Sequence, residues 1–381
     1  MNQIASIQVL RALAALMVVI SHAQADTFDT ANNAGLHFSG FHILPLNAGV
    51  DLFFVISGFI MVYSSRRLFA TPRAGVWFMA RRIARITPLY WLATGLALIL
   101  LSYEAFKGKS AFPHVPEILA SLSFIPFARP LDGLPRPVLP LGWTLNYEMF
   151  FYIVFAFFVA LPRDRAVTAV AASLGLMVAA GVLLKPEATA LAYWSDPIIL
   201  EFVLGAAIAV AFEHDFRLKT PFAVILILCG IAFLALDLAH MAPFAPPPGY
   251  DPHGFIRVVA AGLPMAAIFA AVVLSGWVLP GSRLIGFLVL LGNASYALYL
   301  FHPFAMLAVR KAYTGLGLVP RLGVLPLISV EIPLAILLAL GVHMAFEKPV
   351  SDRFHGWLRR KYARGSGVET REKLAPEGQG K

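Results

Sequence analysis

The sequence is poor in charged residues and almost without cysteine. Asp, Glu, Lys and Arg together make up 13% of its 381 residues, about half the share that a soluble domain carries. That is too little charge to cover a water-facing globule, which excludes a soluble enzyme and an intrinsically disordered chain. The single cysteine, Cys229, excludes a disulfide within the chain and a thiolate metal cluster, and we predict no metal site.

Long apolar runs take up most of the chain. Hydrophobic residues make up 59% of the sequence and the mean hydropathy is +0.76. The runs are continuous, whereas the strands of an outer-membrane barrel alternate. At about 20 residues per spanning helix, the sequence predicts an all-α, polytopic integral membrane protein with about ten transmembrane helices. The candidate helices lie near residues 7–24, 45–64, 87–103, 143–161, 166–184, 196–212, 221–238, 255–279, 294–310 and 322–346.

Basic residues predict the orientation of these helices. The net charge is +9, and far more Lys and Arg fall in cytoplasmic loops if both termini are cytoplasmic. We therefore expect a transmembrane domain over 1–350 and a basic, partly disordered cytoplasmic tail over 351–381, with no nucleic-acid partner. A cleaved signal peptide over the first 25 residues is the competing interpretation, but the first apolar segment carries polar residues that a discarded peptide would not need.

The first predicted helix carries an arginine and a histidine on one face. Arg11 and His22 are eleven residues apart, which is about three helical turns and about 16 Å along the axis. Charge in hydrocarbon is costly, so both residues are functional candidates. Snorkelling of Arg11 to headgroups and an interfacial His22 would also explain the pair.

Two acids are predicted close to the depth of His22. Asp51 lies near the outer end of the second helix, and Glu148 follows the start of the fourth. Ionisable groups from three helices at one level predict a site. The alternatives are that Asp51 caps a re-entrant segment and that Glu148 makes a packing hydrogen bond. Further acids at helix edges receive no role from their spacing: Glu201, Glu331 and Glu347.

Two more groups of residues have helical spacing. Arg81 and Arg85 are four residues apart and share a face if the segment is helical; the planar guanidinium suits phosphate, although ordinary cytoplasmic positive charge is the alternative. In the ninth helix, Ser295, Tyr299 and His302 form a polar stripe. The stripe favours substrate binding, or else a packing seam with internal hydrogen bonds.

Taken in order, these motifs resemble the acyltransferase family 3 membrane proteins, and the sugar-modifying members of that family in particular. The resemblance covers about residues 1–350. Each motif is weak alone, whereas six in order on a polytopic chain are specific. They are Arg11 with ten residues before His22, the block from Gly49 to Phe59, Arg82 and Arg85 ahead of Pro88, the run from Trp143 through Glu148 to Tyr152, the stretch from Ser295 to Pro303, and Phe346 to Pro349.

The resemblance implies an acyl-CoA-dependent O-acyltransferase of the bacterial inner membrane. It would move an acyl group, by default acetyl, from cytoplasmic acetyl-CoA to a hydroxyl of a cell-surface or lipid-linked glycan. Its partners would be acyl-CoA, that glycan and the lipid bilayer, and no tightly bound cofactor is expected. His22 would be the essential histidine of the family, and Arg11 the basic residue of its first helix. Arg82 and Arg85 would be its cytoplasmic arginine pair, and Glu148 the acid of its fourth helix.

We therefore expect Arg11, Arg82 and Arg85 to hold the phosphates of coenzyme A. Neutral His22 would act as general base, with Glu148 or Asp51 on its second nitrogen; an acyl-histidine intermediate is the open alternative. Tyr299 and His302 are assigned to substrate binding. A transporter of lipid or sugar and a membrane scaffold are the rival classes.

Overall fold

The computed structural model describes residues 2–41, 45–240 and 254–366, and all regular structure in these ranges is helical. Five short 3-10 or π segments join or extend the helices: Leu46–Ala48, Pro140–Gly142, Pro197–Ile199, Val258–Gly262 and His343–Glu347. The α-helices are α1 (Asn2–Asn33), α2 (Gly49–Ser64), α3 (Ala74–Phe106), α4 (Val115–Leu122), α5 (Trp143–Phe158), α6 (Arg163–Leu184), α7 (Thr189–Trp194), α8 (Leu200–Glu213), α9 (Thr220–His240), α10 (Phe255–Arg257), α11 (Leu263–Leu274), α12 (Arg283–Asn293), α13 (Ser295–Gly315), α14 (Val319–Leu322), α15 (Leu325–Val342) and α16 (Lys348–Ser366).

Several of these helices are long and apolar enough to cross a membrane. Within the described ranges there are seven such spans. Helices α12 and α13 are bent by 79° at their junction, and they form an eighth span if the two are counted as one. A shorter apolar helix covers Thr220–Ala235. The predicted all-α, multi-pass architecture is confirmed. The count of ten stays a prediction, because three of the ten segments are short or broken as helices.

The centre of the bundle is α2, which packs closely on α8. A Cβ atom on Gly58 would lie 2.0 Å from the carbonyl oxygen of Phe202, and one on Gly205 would lie 1.9 Å from that of Val55. The two backbones therefore touch, as is typical of helix pairs in membranes, where small residues permit close approach. Outer helices such as α6 bury few of their residues, which suits a face toward lipid.

Helix α3 differs from its prediction. The sequence predicts a span over 87–103, but Ala74–Phe106 is one helix of 33 residues. At about 1.5 Å per residue it is about 50 Å long. The arginines before residue 87, which suggest a helix boundary in the sequence, lie within this helix. Arg82 points into the protein and is only 8% exposed. Pro88 lies inside the helix without ending it.

The segment between α4 and α5 enters the bundle instead of lying over it. Val138, Leu139 and Leu141 are buried, and the Val138 amide donates to Ser121 Oγ over 3.2 Å. At the exposed tip of this segment, a hydrogen bond from Arg129 lowers the pKa of Asp132. Because the segment is inserted, α5 starts inside the protein.

Candidate functional site

A cavity lies between α1, α2, α3, α5 and α13. It holds about 750 Å³ of empty space, counted out to its open mouth. Among the described residues that line it, the charged ones are Arg11, Arg82, Arg85 and Glu148. Three guanidinium groups against one carboxylate give this cavity a positive charge inside an apolar bundle, which favours a bound anion.

Neighbouring side chains hold the arginines in place. Arg82 Nη2 donates to Ser64 Oγ over 2.9 Å, and its guanidinium lies over the rings of Phe78 and Tyr152, at 5.5 and 5.9 Å from the centroids. Arg11 Nη1 donates to Gln8 Oε1 over 3.3 Å. The segment that carries Arg81 and Arg85 is helical, as the predicted shared face requires. Among the described residues that line the cavity, the arginines of α3 are Arg82 and Arg85, which are three residues apart.

Glu148 belongs to the cavity with the arginines. Its Oε1 accepts hydrogen bonds from Ser57 Oγ over 2.7 Å and from the Tyr152 hydroxyl. Tyr152 in turn lies beneath Arg82. The acid therefore ties α2 to α5 on the wall that carries Arg82.

His22 lies next to His302, a residue 280 positions away in the chain. His302 Nε2 is 3.2 Å from His22 Nδ1, and the ring centroids are 5.0 Å apart. His302 is fully buried, whereas His22 is exposed on the bundle surface. Neither histidine is among the described residues that line the cavity.

The backbone contacts of the two histidines define their tautomers. His302 Nδ1 is 2.9 Å from the carbonyl oxygen of Leu298, and His22 Nδ1 is 3.0 Å from that of Val18. A carbonyl oxygen only accepts, so Nδ1 of each ring carries the proton. In neutral rings, the single N–H of His22 Nδ1 is then shared between the Val18 carbonyl and His302 Nε2, and the lone pair of His22 is on Nε2.

Asp51 is occupied by a partner that the sequence did not predict. Its two oxygens accept from Arg257 Nε over 2.9 Å and Arg257 Nη2 over 2.8 Å. Asp51 and the adjacent Glu201 are fully buried. The α10 arginine therefore closes an ion pair between two distant parts of the chain, and both carboxylate oxygens of Asp51 are already used.

The structure groups Glu148 with the arginines, whereas His22 lies beside His302. Glu148 is among the residues that line the cavity, and Asp51 pairs with Arg257. Thr144 on α5 contacts Tyr299 on α13; Glu148 follows Thr144 by four residues, and His302 follows Tyr299 by three. A common level of His22, Asp51 and Glu148 stays a prediction.

The polar stripe of α13 joins the cavity to the histidines. Ser295 and Tyr299 line the cavity, and His302 contacts His22. The Tyr299 hydroxyl donates to the Leu141 carbonyl over 3.0 Å and lies 2.9 Å from Thr144 Oγ1. The predicted shared face is confirmed, but its members divide between two environments.

A partly buried cluster that the sequence did not predict lies one turn beyond His22. Arg310 Nη1 donates to Asp26 Oδ1, and the fully buried Glu331 lies beside Asp26. Spacing in the sequence assigned Glu331 no role, since its neighbour Asp26 lies on another helix. Over the described ranges, no group of three or more His, Cys, Asp or Glu side chains is arranged to hold a metal ion.

Comparison with known proteins identifies the family. The model of an acyltransferase domain matches residues 4–341. The chain is 36% identical over 331 residues to the exopolysaccharide production protein ExoZ of Rhizobium meliloti (strain 1021), covering 83% of this chain and 92% of that protein. It is 29% identical over 227 residues to the acyltransferase MdmB of Streptomyces mycarofaciens, covering 52% of this chain and 55% of that protein. No solved structure is significantly similar. Because the family match extends over nearly the whole chain, this protein belongs to the acyltransferase family 3 and is a membrane acyltransferase.

Proposed function

We propose that this protein is an acyl-CoA-dependent O-acyltransferase that moves an acyl group, acetyl by default, to a hydroxyl of a cell-surface or lipid-linked glycan. The observation that carries the proposal is the cavity that Arg11, Arg82 and Arg85 line together. Coenzyme A brings several phosphate charges, and guanidinium groups bind phosphate with paired hydrogen bonds. A membrane-embedded cavity of this charge suits such a donor.

The pantetheine arm would extend from the arginines along α1 toward His22. Arg11 and His22 are on one helix, about 16 Å apart along its axis. The arm is long, thin and uncharged, so it can follow a narrow apolar route where the phosphates cannot. Glu148, with Ser57 and Tyr152, flanks this route and would position Arg82.

His22 Nε2 would be the general base. It takes the proton of the acceptor hydroxyl as that oxygen attacks the thioester carbonyl, the carbon–sulfur bond breaks, and the proton passes to the leaving thiolate. His302 Nε2 accepts from His22 Nδ1 and would stabilise the imidazolium, the role that a carboxylate has in other triads. The acyl-histidine route would use the same nitrogen of His22.

The topology completes the proposal. The proposal includes ten spans, both termini in the cytoplasm and residence in a bacterial inner membrane, as the distribution of basic residues favours. The arginines would then face cytoplasmic acyl-CoA, and His22 would lie toward the outside. The 36% identical relative is an exopolysaccharide production protein, and this likeness supports a glycan acceptor. We propose O-acetylation in exopolysaccharide biosynthesis as the role.

Labelled acetyl-CoA tests the function directly. The purified protein in lipid nanodiscs should transfer label to glycolipid extracted from its native membranes, and His22→Ala should abolish transfer while the protein stays folded. Arg67→Ala is the control, because Arg67 is exposed and outside the cavity lining. The protein would be a transporter instead if the wild type neither binds acetyl-CoA nor transfers label but moves glycolipid across a vesicle membrane.

A further inference from the structure

The cavity and His22 are separated by a layer of side chains. Thr144, Phe53 and Tyr299 form part of the cavity wall. On the other side of Tyr299 lies His302, with ring centroids 6.5 Å apart, and His22 is beyond His302. The route from the arginines to His22 along the polar stripe of α13 therefore passes Tyr299.

Tyr299 is held in this position from three directions. Its hydroxyl donates to the Leu141 carbonyl over 3.0 Å and contacts Thr144 Oγ1 over 2.9 Å. Thr144 Oγ1 is also 3.2 Å from the same carbonyl. The ring of Phe53 meets the Tyr299 ring edge-on at 6.1 Å, and Tyr299 is only 7% exposed.

We propose that Tyr299, fastened to Leu141 and Thr144, is a partition between the donor cavity and the His22 side, which opens for the acyl-bearing arm and otherwise excludes water. This rests on the proposed function, and it adds a residue that selects the acceptor hydroxyl over water. With the partition open and no acceptor, water would attack the thioester carbonyl, the carbon–sulfur bond would break, and a carboxylic acid and free thiol would form.

Cysteine labelling tests the partition without any substrate. Ile60 lines the cavity, so Ile60→Cys in a Cys229→Ser background reports on cavity access. Ser110→Cys, in the exposed segment after α3, is the control for the side of His22. The probe is an anionic, membrane-impermeant methanethiosulfonate, applied separately to each side of sealed vesicles.

With Tyr299 intact, we expect Ile60→Cys to react from one side only, the side opposite to that of Ser110→Cys. Tyr299→Phe keeps the ring but loses both hydroxyl contacts, and should raise labelling from the Ser110 side about tenfold, which corresponds to about 1.4 kcal/mol in the opening equilibrium. Thr144→Val keeps the hydrogen bond from Tyr299 to Leu141 and should raise this labelling less than Tyr299→Phe does. Tyr299→Ala should raise the labelling more than Tyr299→Phe does.

Equal labelling from both sides with Tyr299 intact, or no change in Tyr299→Phe, would overturn the partition. The labelling uses no acyl-CoA, so its outcome is independent of the transfer assay, and failure of the proposed function would appear only there. As a second measurement, Tyr299→Phe should release free coenzyme A from acetyl-CoA about tenfold faster than wild type when acceptor is absent. Unchanged hydrolysis together with increased labelling would also overturn the water-excluding role.

Discussion

Substitution of His302 separates a positioning role from the substrate-binding role that the sequence suggested. The imidazole of His302 is fully buried and its Nε2 accepts from His22 Nδ1 over 3.2 Å. In the transition state His22 becomes positively charged, and a hydrogen bond to a charged group contributes about 1.5–3 kcal/mol. His302→Leu should therefore lower kcat by about 10- to 150-fold. The KM for acetyl-CoA should stay within about twofold of wild type, because His302 does not contact the arginines.

The assay is steady-state release of coenzyme A in nanodiscs with saturating glycan acceptor and varied acetyl-CoA. His302→Gln offers a side-chain oxygen that can accept in place of Nε2, and should recover part of the lost kcat. His214→Leu is the matched control, since His214 is exposed and pairs with Asp164 away from the cavity. The reasoning would be refuted by a His302→Leu protein that keeps its unfolding temperature and its kcat, or by a raised KM with unchanged kcat.

The remaining predictions concern the cavity wall and the packing around it. Arg85→Ala should raise the KM for acetyl-CoA about tenfold and leave kcat nearly unchanged; a change in kcat alone would contradict phosphate binding. Glu148→Gln should change the KM for acetyl-CoA more than it changes kcat. A larger change in kcat than in KM, measured in the same assay, would indicate instead that Glu148 is the partner of His22. Asp51→Ala leaves the guanidinium of Arg257 buried without its carboxylate, and should cost about 3–5 kcal/mol of stability, measured as a lowered thermal unfolding midpoint. Gly205→Leu should prevent folding or greatly reduce membrane yield, because even a Cβ there would be 1.9 Å from a carbonyl oxygen of α2; normal yield would disprove the contact.

Much of the bundle followed from periodicity and composition. Continuous apolar runs predict helices, and the helical repeat correctly places Ser295, Tyr299 and His302 on one face. The start of α5 at Trp143 agrees with the predicted span over 143–161. The environment of that start could not be predicted, because the polar and proline-rich segment before it resembles a surface loop. In the structure that segment is inserted among the helices, where Leu141 meets Tyr299.

The candidate site shows the same division. The sequence identified His22 and Arg11 as polar residues that a membrane helix would carry only for a function. It could not identify the partner of His22, which is 280 residues away, or that of Asp51, which is 206 residues away. Hydrogen bonds of this kind depend on which helices touch and at what height, and neither is encoded in local spacing.

The amino-acid sequence by itself thus determined a helical membrane protein and the family to which it belongs, and it named the candidate residues for its chemistry. The tertiary structure decided that three arginines line one cavity, that Glu148 joins them, and that His302 is the neighbour of His22. The physical reason is that the helical repeat fixes the direction of a side chain around its own axis. The position of that axis, and the depth at which it begins, depend on packing against helices far away in the chain.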